Sequence, residues 1–511
     1  MAKPLTSSYK KLLEKVKDIF ILQSATAVIH WDMETMMPPR AIKLRSQQLT
    51  LLSRISHKMS TNPEIGKLLE EIMKHPEYDG LNAVQRRNVY LIKKSYDEQT
   101  KLPEELVAEI AKQQAITINV WKKAKAAKDF SMFKPELEKL VNLTKKAAEI
   151  LMEVKETATP YDALIDIYEP KMSSETINEI FGELREGLIS LIKKCETCPK
   201  QPDVSILKRL VPIDMQRRIS KTIADFIGYN TESTEAGGRI DETEHPFTTG
   251  YYDDVRVATH YYEENFTSAI FSALHECGHA LYQQNLNPEW MFQPVGATCS
   301  TGFHESQSRF VENIIGRSRE FWIYFLPKLK ELTGKILSDI DLDAFVHAIN
   351  QVKPSNIRVD ADEVTYGLHI IIRFNLEHEL FADRITVAEL PGIWNQSYKD
   401  HLGVNIENDS EGVMQDTHWA SGLYGYFPSY TLGNIYSGQI LAAMEKNLPG
   451  WKNQIKRGKF RDTKQWLIKN VHSYGNLYYP SDLIKKITGG ELSVKPYLNY
   501  LNQKYSKLYG F

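Results

Sequence analysis

The residues best suited to chemistry in this sequence are the two histidines and the glutamate of His275-Glu276-Cys277-Gly278-His279. On a helix, residues i and i+4 lie on one face, so both imidazoles can point at a single metal ion. Glu276 lies to one side, close enough to take a proton from a water that attacks a carbonyl group. The spacing therefore predicts a metal-dependent hydrolase with Glu276 as general base. An amphipathic helix with two surface histidines would show the same pattern.

A catalytic zinc site takes three protein ligands and keeps one position open. Residues 280–288 contain no histidine, so the third ligand must come from elsewhere in the chain. We expect it on a second helix over residues 303–316, where Glu305 would complete a site of two histidines and one glutamate. Its neighbour His304 is the rival, although it points about 100° away around the helix.

The metal-binding pattern needs a helix to hold it, and residues 265–284 are predicted to form one. Thr267 or Ser268 is the expected N-cap, and Pro288 lies just beyond the expected end. An apolar stripe would seat this helix in the core, and it consists of Ile270, Leu274, Cys277 and Leu281.

Around this helix the chain is predicted to be mainly α-helical. Apolar residues recur at helical spacing over residues 5–23, 41–57, 83–99, 103–128, 137–154, 175–194 and 214–227. Residues 232–240 are the most loop-like stretch, whereas residues 254–261 alternate like a half-buried strand. We therefore expect a large, mainly α protein with a small β-sheet beside the metal-binding helix.

Composition excludes several classes of protein. With 63 Lys and Arg against 65 Asp and Glu in 511 residues, the net charge is −2, whereas nucleic-acid binding favours a basic surface. No apolar run approaches the ~18 residues of a membrane span, and residues 1–10 contain no apolar leader. The 4 cysteines are too few for a disulfide framework. These features predict a cytoplasmic protein without nucleic-acid or membrane partners.

Six short motifs, in order along nearly the whole chain, resemble those of the H-E-x-x-H metallocarboxypeptidases typified by the thermostable carboxypeptidases (carboxypeptidase Taq type). They are Trp31-Asp32-x-Glu34-Thr35-x-Met37-Pro38, His245-Pro246-Phe247, Asp254-Val255-Arg256, His304-Glu305-Ser306-Gln307, Ile357-Arg358-x-x-Ala361-Asp362 and Gly412-x-x-Gln415-Asp416-x-His418-Trp419. One departure is Ala258, which stands where the family has threonine. Because Thr259 follows it, a hydroxyl contact is either lost or moved to the other face of the strand.

The resemblance implies a mostly helical fold with a deep substrate groove and the removal of single C-terminal residues from peptides. It also implies one divalent metal ion per chain, zinc with cobalt as the alternative, held by His275, His279 and Glu305, and a homodimer. We interpret residues 1–511 as a single catalytic unit, with an N-terminal helical lobe over residues 1–235 and a metal-site lobe over residues 236–511. A dipeptidyl carboxypeptidase or oligopeptidase of the same metal class is the alternative function.

A carboxypeptidase must recognise the free α-carboxylate of its substrate, and a guanidinium group meets a carboxylate with two hydrogen bonds. Arg358 is the first candidate. Arg256 and Arg309 are rivals, although Arg309 could instead hold Glu305 from position i+4.

The other predicted site residues come from the same motifs. His418 and Tyr426 are candidates for donating a hydrogen bond to the developing oxyanion, and Asp416 for orienting a ligand histidine. The strand over residues 254–261 is expected to pair with an extended peptide. The remaining predicted substrate-binding residues are His245, Pro246, Phe247, Asp254, Gln307, Asp362 and Gln415.

Overall fold

The structure, a computed structural model, describes residues 5–511. Residues 1–4, which belong to the stretch predicted to lack an apolar leader, lie outside the described residues. Within residues 5–511, no helix combines the length and the apolar character that crossing a membrane requires.

The described residues form a mainly α-helical protein, which confirms the predicted fold class. The helices are α1 (Leu5–Thr35), α2 (Ile42–Ser60), α3 (Pro63–Met73), α4 (Ala83–Lys101), α5 (Glu104–Ala127), α6 (Phe130–Lys155), α7 (Pro160–Ile165), α8 (Ser174–Thr197), α9 (Ile213–Ile227), α10 (Phe266–Gln284), α11 (Thr301–Arg309), α12 (Arg319–Thr333), α13 (Leu342–Ala348), α14 (Tyr366–Phe381), α15 (Leu390–Leu402), α16 (Pro428–Asn447), α17 (Trp451–Ile455), α18 (Arg461–Asn470), α19 (Pro480–Thr488) and α20 (Lys495–Tyr509). Each helix predicted in the first half of the chain is present.

A small mixed sheet precedes α10, as the sequence predicts. It contains β1 (Gly238–Glu242), β2 (Phe247–Tyr251) and β3 (Asp254–Thr259), in the order β1-β3-β2. β3 pairs in parallel with β1 and antiparallel with β2. The predicted loop covered residues 232–240, but β1 begins at Gly238. The prediction is therefore wrong for residues 238–240.

The position of β3 also corrects the predicted pairing with substrate. Because β3 lies between two strands, its hydrogen-bonding groups on both sides already belong to the sheet. The edge strand next to the metal-binding helix is β2. At the end of β3, the hydroxyl of Thr259 lies 2.9 Å from that of Ser272 on α10, so the hydroxyl that follows Ala258 faces the helix.

The predicted apolar stripe does seat α10 in the core, since Ile270, Leu274, Cys277 and Leu281 are all buried. They belong to a buried apolar cluster that runs from Ala124 to Tyr509, whereas a smaller cluster lies within residues 5–92. The larger cluster includes residues on both sides of residue 235. The division into two lobes at that residue stays a prediction.

The ends of the two ligand-bearing helices differ from the prediction. The N-cap of α10 is Asn265, whose side chain accepts the backbone N–H of Ser268 at 3.3 Å. Asparagine is at least as good an N-cap as serine or threonine, so the cap precedes the predicted Thr267 or Ser268, while the helix itself covers nearly the predicted residues. Ser300 caps α11, which begins at Thr301 and continues as a π-helical turn over Phe310–Ile315.

Candidate metal centre and active site

Three side chains converge where α10 and α11 meet. His275 and His279 of α10 and Glu305 of α11 each bring one ligand atom, all within 4.8 Å of one another. Glu305 Oε2 lies 3.7 Å from His275 Nε2 and 3.5 Å from His279 Nε2. No second group of three such side chains occurs in residues 5–511. The structure thus brings together the three residues that the sequence predicts as metal ligands.

The second nitrogen of each histidine is engaged by the protein. His275 Nδ1 lies 2.9 Å from Glu312 Oε2, and His279 Nδ1 lies 3.1 Å from the carbonyl oxygen of His304. Each imidazole can therefore donate its Nδ1 proton and keep Nε2 as an acceptor that faces Glu305. Two imidazole nitrogens and a carboxylate oxygen are a donor set that zinc binds. The residues present fit a divalent cation.

Arg309 keeps the third ligand ionised. Its Nε lies 2.6 Å from Glu305 Oε1, which leaves Oε2 facing the two histidines. Burial would raise the pKa of Glu305, but the charge of Arg309 opposes this effect, and that pKa lies well below its ordinary value. Burial likewise opposes ionisation of Glu312, whose pKa Arg309 and His275 lower to about 2. Arg309 therefore acts on the ligand set, as its i+4 spacing from Glu305 allows.

Two glycines let the helices approach this closely. A Cβ at Gly278 of α10 would lie 2.6 Å from Ser308 Cα of α11. A Cβ at Gly433 of α16 would lie 2.7 Å from Glu305 Cγ. Any larger residue would push α11 away on one side or the other. Gly278 therefore sets the spacing between α10 and α11, and Gly433 sets the spacing between α11 and α16.

Glu276 lies beside the ligands and is held from the sheet. Thr248 of β2 donates its hydroxyl to Glu276 Oε2 at 2.6 Å, and the same hydroxyl lies 3.0 Å from the Glu276 carbonyl oxygen. The side chain is buried but borders the cavity. The bond to Thr248 therefore fixes the carboxylate in front of the ligand cluster.

These residues border a cavity of about 420 Å³, large enough for part of a peptide. Of the predicted site residues, the cavity is lined by Pro246, Phe247, His275, Glu276, His279, Glu305 and Tyr426. The other residues that line it are Thr248, Thr298, Thr301, His304 and Tyr430.

His304, the rival for the third ligand, takes a different position. Its Nδ1 lies 2.6 Å from His279 Nδ1, on the side of that ring opposite to Glu305. Burial and the neighbouring His279 hold the pKa of His304 well below its ordinary value, so the ring is neutral. His304 therefore contacts the Nδ1 side of His279 and leaves its Nε2 free to face Glu305.

A second cluster surrounds Asp416, whose carboxylate is shared by two arginines. Arg358 Nη2 lies 2.8 Å from Asp416 Oδ1, and Arg373 Nη2 lies 2.6 Å from Oδ2. Burial would raise the pKa of Asp416, but the two arginines lower it far below its ordinary value. Gln415 Oε1 accepts from the backbone N–H of Arg358 and from Arg373 Nη2. Two guanidinium charges thus face one carboxylate.

Tyr430 connects this cluster to the cavity. Its ring centroid lies 5.2 Å from the guanidinium carbon of Arg358, and its hydroxyl lies 3.2 Å from His418 Nε2. Tyr426 packs edge-on against it, with ring centroids 5.2 Å apart. Burial lowers the pKa of His418 to about 4, with Asp416 opposing the shift and Arg358 adding to it. His418 is therefore neutral at neutral pH.

On the sheet side, the structure does not bring His245, Asp254 or Arg256 into the cavity lining. Arg256 Nε lies 2.8 Å from Asp254 Oδ1, and its guanidinium carbon lies 4.3 Å from the ring centroid of Trp31. His245 is exposed. Arg256 thus has Asp254 as its own partner, whereas Arg358 shares Asp416 with Arg373, so Arg256 is the weaker candidate for the substrate carboxylate.

Gln307 and Asp362 also have partners outside the cavity lining. Gln307 Oε1 lies 2.9 Å from His472 Nε2. The Asp362 carboxylate accepts the backbone N–H groups of Val364 and Thr365 at 2.9 and 3.0 Å. These contacts give both residues structural roles, and a contact with substrate stays a prediction.

Six residues of the site are absent from the sequence prediction: Thr248, Thr298, Thr301, Glu312, Arg373 and Tyr430. Glu312 was detectable, because it follows Arg309 by three positions and Glu305 by seven, on one face of the predicted helix. Thr248 directly follows the predicted Phe247, and Tyr430 follows the predicted Tyr426 by four positions, whereas Arg373 reaches the site by packing between distant segments.

A helical fold with an H-E-x-x-H helix, a carboxylate from the adjacent helix and a cavity between them defines a metallopeptidase of the helical class. The family model of the Carboxypeptidase Taq (M32) metallopeptidases matches residues 11–505. The chain belongs to this family.

Relatives of similar length support the same assignment. The chain is 39% identical to Carboxypeptidase 1 of Bacillus subtilis, over 98% of each sequence. It is 39% identical to Thermostable carboxypeptidase 1 of Thermus thermophilus, over 99% of each. The chain is therefore a metal-dependent carboxypeptidase that acts on peptides.

Solved structures show the same fold. The M32 carboxypeptidase of Deinococcus radiodurans is 34% identical and superposes with a TM-score of 0.94, over 99% of this chain and 100% of that one. Metallocarboxypeptidase 1 of Trypanosoma cruzi is 30% identical, with a TM-score of 0.91 over 98% and 99% of the two chains.

Proposed function

We propose that this carboxypeptidase releases single amino acids from the free C-terminus of peptides, with one zinc ion held by His275, His279 and Glu305. The observation that carries the proposal is the convergence of three ligand atoms within 4.8 Å beside Glu276. Imidazole and carboxylate donors suit zinc, and cobalt, which accepts the same donors, is the alternative. When bound, such a cation polarises the scissile carbonyl and makes water more acidic.

Glu276 acts as general base. Its carboxylate takes a proton from the water that attacks the scissile carbonyl and returns that proton to the leaving amine. Thr248 holds Oε2 from the sheet, at 2.6 Å. The carboxylate is thereby oriented before substrate binds, which saves the reorganisation that a mobile side chain would need.

Arg358 is the proposed anchor for the substrate's α-carboxylate. The cluster of Arg358, Arg373 and Asp416 carries one positive charge in excess. Arg373 is fully buried, whereas the side chain of Arg358 is 8% exposed and contacts Tyr430 of the cavity wall. An incoming carboxylate would balance the excess charge, and Arg358 is the arginine it can reach.

Tyr426 and His418 are the proposed donors to the oxyanion that forms during attack. Tyr426 lines the cavity with the ligands, and His418 lies behind it with ring centroids 5.6 Å apart. Since His418 is neutral, it contributes a hydrogen bond and no charge. The Tyr426 hydroxyl, whose pKa burial raises to about 12, keeps its proton available for donation.

The edge strand β2 is the proposed docking strand for the peptide backbone. Pro246 and the first residues of β2, Phe247 and Thr248, line the cavity, and the unpaired side of β2 can accept an extended chain. This replaces the role predicted for β3.

The proposal includes a cytoplasmic location and a homodimer. All four cysteines are free thiols, which suits a reducing compartment. The homodimer rests on the family resemblance, and light scattering on the purified protein tests it.

Two peptides and one variant test the function. The wild type should shorten a peptide with a free C-terminus one residue at a time and leave its C-terminally amidated form intact. Release of dipeptides would favour the dipeptidyl alternative, and equal cleavage of the amide would exclude recognition of the carboxylate. Glu276→Gln should keep its metal and lose turnover, and substantial residual activity would exclude Glu276 as base.

A further inference from the structure

Glu377 of α14 is a fully buried carboxylate without a role in the proposed reaction. Burial raises the pKa of Glu377 to about 7, and three hydrogen-bond donors oppose that shift. Arg373 is a basic side chain whose charge also lowers the pKa of Glu377, but it is already paired with Asp416. A buried carboxylate that lacks an ion pair of its own is unfavourable for folding, so its contacts need an explanation.

The three donors come from two separate parts of the chain. Trp419 Nε1 donates to Glu377 Oε1 at 2.7 Å, and the backbone N–H of Gly425 donates to Oε2 at 2.8 Å. Tyr161 of α7 donates its hydroxyl to Oε2 at 2.9 Å. One side chain therefore ties α7 to both ends of the segment between Trp419 and Gly425.

That segment lies between the two proposed oxyanion donors, because Trp419 follows His418 and Gly425 precedes Tyr426. Gly425 has φ +78°, and a Cβ there would lie 2.7 Å from the backbone of Leu164 and Ile165. At Gly425 the segment thus packs directly on the backbone of α7, with no space for a larger side chain.

We infer that Glu377 is a positioning residue that fixes His418 and Tyr426 against the metal cavity by accepting hydrogen bonds from Trp419, Gly425 and Tyr161. The inference rests on the proposed role of Tyr426 as a donor to the oxyanion. Every neighbour that bonds to Glu377 donates, so these contacts favour the ionised, acceptor-only form of the side chain and oppose the effect of burial on its pKa.

Glu377→Gln tests the inference, since it keeps the size of the side chain and replaces one acceptor by an N–H donor. That donor would face either Trp419 Nε1 or the Gly425 N–H. We expect kcat to fall about 100-fold, the loss that a shift of about 1 Å in a catalytic group can cause. Metal content should be unchanged, because the ligands lie on α10 and α11. In a crystal structure of the variant, Tyr426 should be displaced from its wild-type position.

A double-mutant cycle separates positioning from general destabilisation. In a Tyr426→Phe background, Glu377→Gln should have a smaller further effect on kcat, because one of the two groups that it positions is already removed. If both variants lower kcat and their effects multiply independently, the inference is wrong. If Tyr426→Phe leaves kcat unchanged, the proposed role of Tyr426 fails. The crystal structure then still decides on Glu377: an undisplaced Tyr426 overturns the inference, and a displaced one supports it.

Tyr161→Phe provides a milder variant should Glu377→Gln fail to fold. It removes one of the three donors and should lower kcat in the same direction, by about fivefold or less. The matched control is Tyr505→Phe, because Tyr505 of α20 is also buried and donates to a buried carboxylate, Glu363, at 3.0 Å. The control should lower thermal stability similarly and leave kcat unchanged. Equal kcat in both variants would contradict the inference.

Discussion

Thr248 of β2 and Glu276 of α10 are joined by a hydrogen bond of 2.6 Å between a hydroxyl and a carboxylate oxygen. The bond connects the sheet to the helix that carries both histidine ligands. The same hydroxyl lies 3.0 Å from the Glu276 carbonyl oxygen, so one threonine contacts both the backbone and the side chain of the proposed general base. The position of the Glu276 carboxylate therefore depends on the sheet as well as on α10.

Thr248→Val should lower kcat about tenfold, because a hydrogen bond to a charged group contributes about 1.5–3 kcal/mol when it is fully formed. Valine has nearly the same shape and suits a strand, so β2 should persist. Steady-state kinetics and metal analysis check the expectation that KM and metal content change little. Thr249→Val, on the other face of β2, is the control and should behave as wild type. Unchanged kcat in Thr248→Val would show that the bond does not orient the base.

Glu312→Gln should weaken metal binding about 10–100-fold, the usual effect of removing a carboxylate that holds a ligand histidine. Glu312 Oε2 lies 2.9 Å from His275 Nδ1 and orients that ring. Competition with a chelator of known affinity measures the change. Glu331→Gln, an exposed position on α12, is the control. Equal metal affinity in the two variants would mean that the contact is not needed for binding.

Arg358→Lys should raise KM for peptides with a free C-terminus about 30-fold, because a lysine cannot form the paired hydrogen bonds that a guanidinium gives a carboxylate. Amidated peptides, which lack the carboxylate, should stay intact with this variant as with wild type. Asp416 keeps its bond to Arg373, so the cluster should remain folded. Arg256→Lys serves as the matched comparison. If it raised KM and Arg358→Lys did not, the carboxylate anchor would be Arg256.

Local spacing was enough to predict the metal ligands and most helices. His275 and His279 are one turn apart, so helix geometry relates them directly. Glu305 lies on the next helix, where the sequence left His304 as its rival. Periodicity likewise predicted α2, but none of its residues is buried. Periodicity therefore predicts that a helix forms and does not show what covers it.

The remainder of the site depends on contacts between distant residues. Glu377 bonds to Gly425, 48 residues away, and to Tyr161, 216 residues away. Arg358 and Asp416, both predicted, bond to each other across 58 residues of sequence, and Arg373 joins them from α14. No periodicity or spacing in the sequence encodes these distances, since they follow from how the helices pack around one core.

The stability difference between wild type and Glu377→Gln should depend on pH. Burial raises the pKa of Glu377 to about 7, from the ordinary glutamate value of about 4.5. Between these values the folded protein binds more protons than the unfolded chain. The contribution of Glu377 to the free energy of unfolding is therefore complete below pH ~4.5 and is lost as pH rises to ~7, by about 3 kcal/mol in all.

Glutamine does not titrate, so the variant should lack this part of the pH dependence. The ionisable groups that face Glu377 are Tyr161, Tyr168 and Tyr424, whose pKa values are all raised by burial, and Arg373. None of these tyrosines changes charge between pH 5 and 8, and an arginine stays charged throughout. Denaturant unfolding of both proteins at several pH values measures the difference in their free energies of unfolding. Glu169 is a second buried carboxyl, with a pKa raised to about 7. Because both proteins contain Glu169, its contribution cancels in this difference. The variant should gain stability relative to wild type as pH rises from 5 to 8. A difference that stays constant over this range would mean that Glu377 keeps one protonation state throughout.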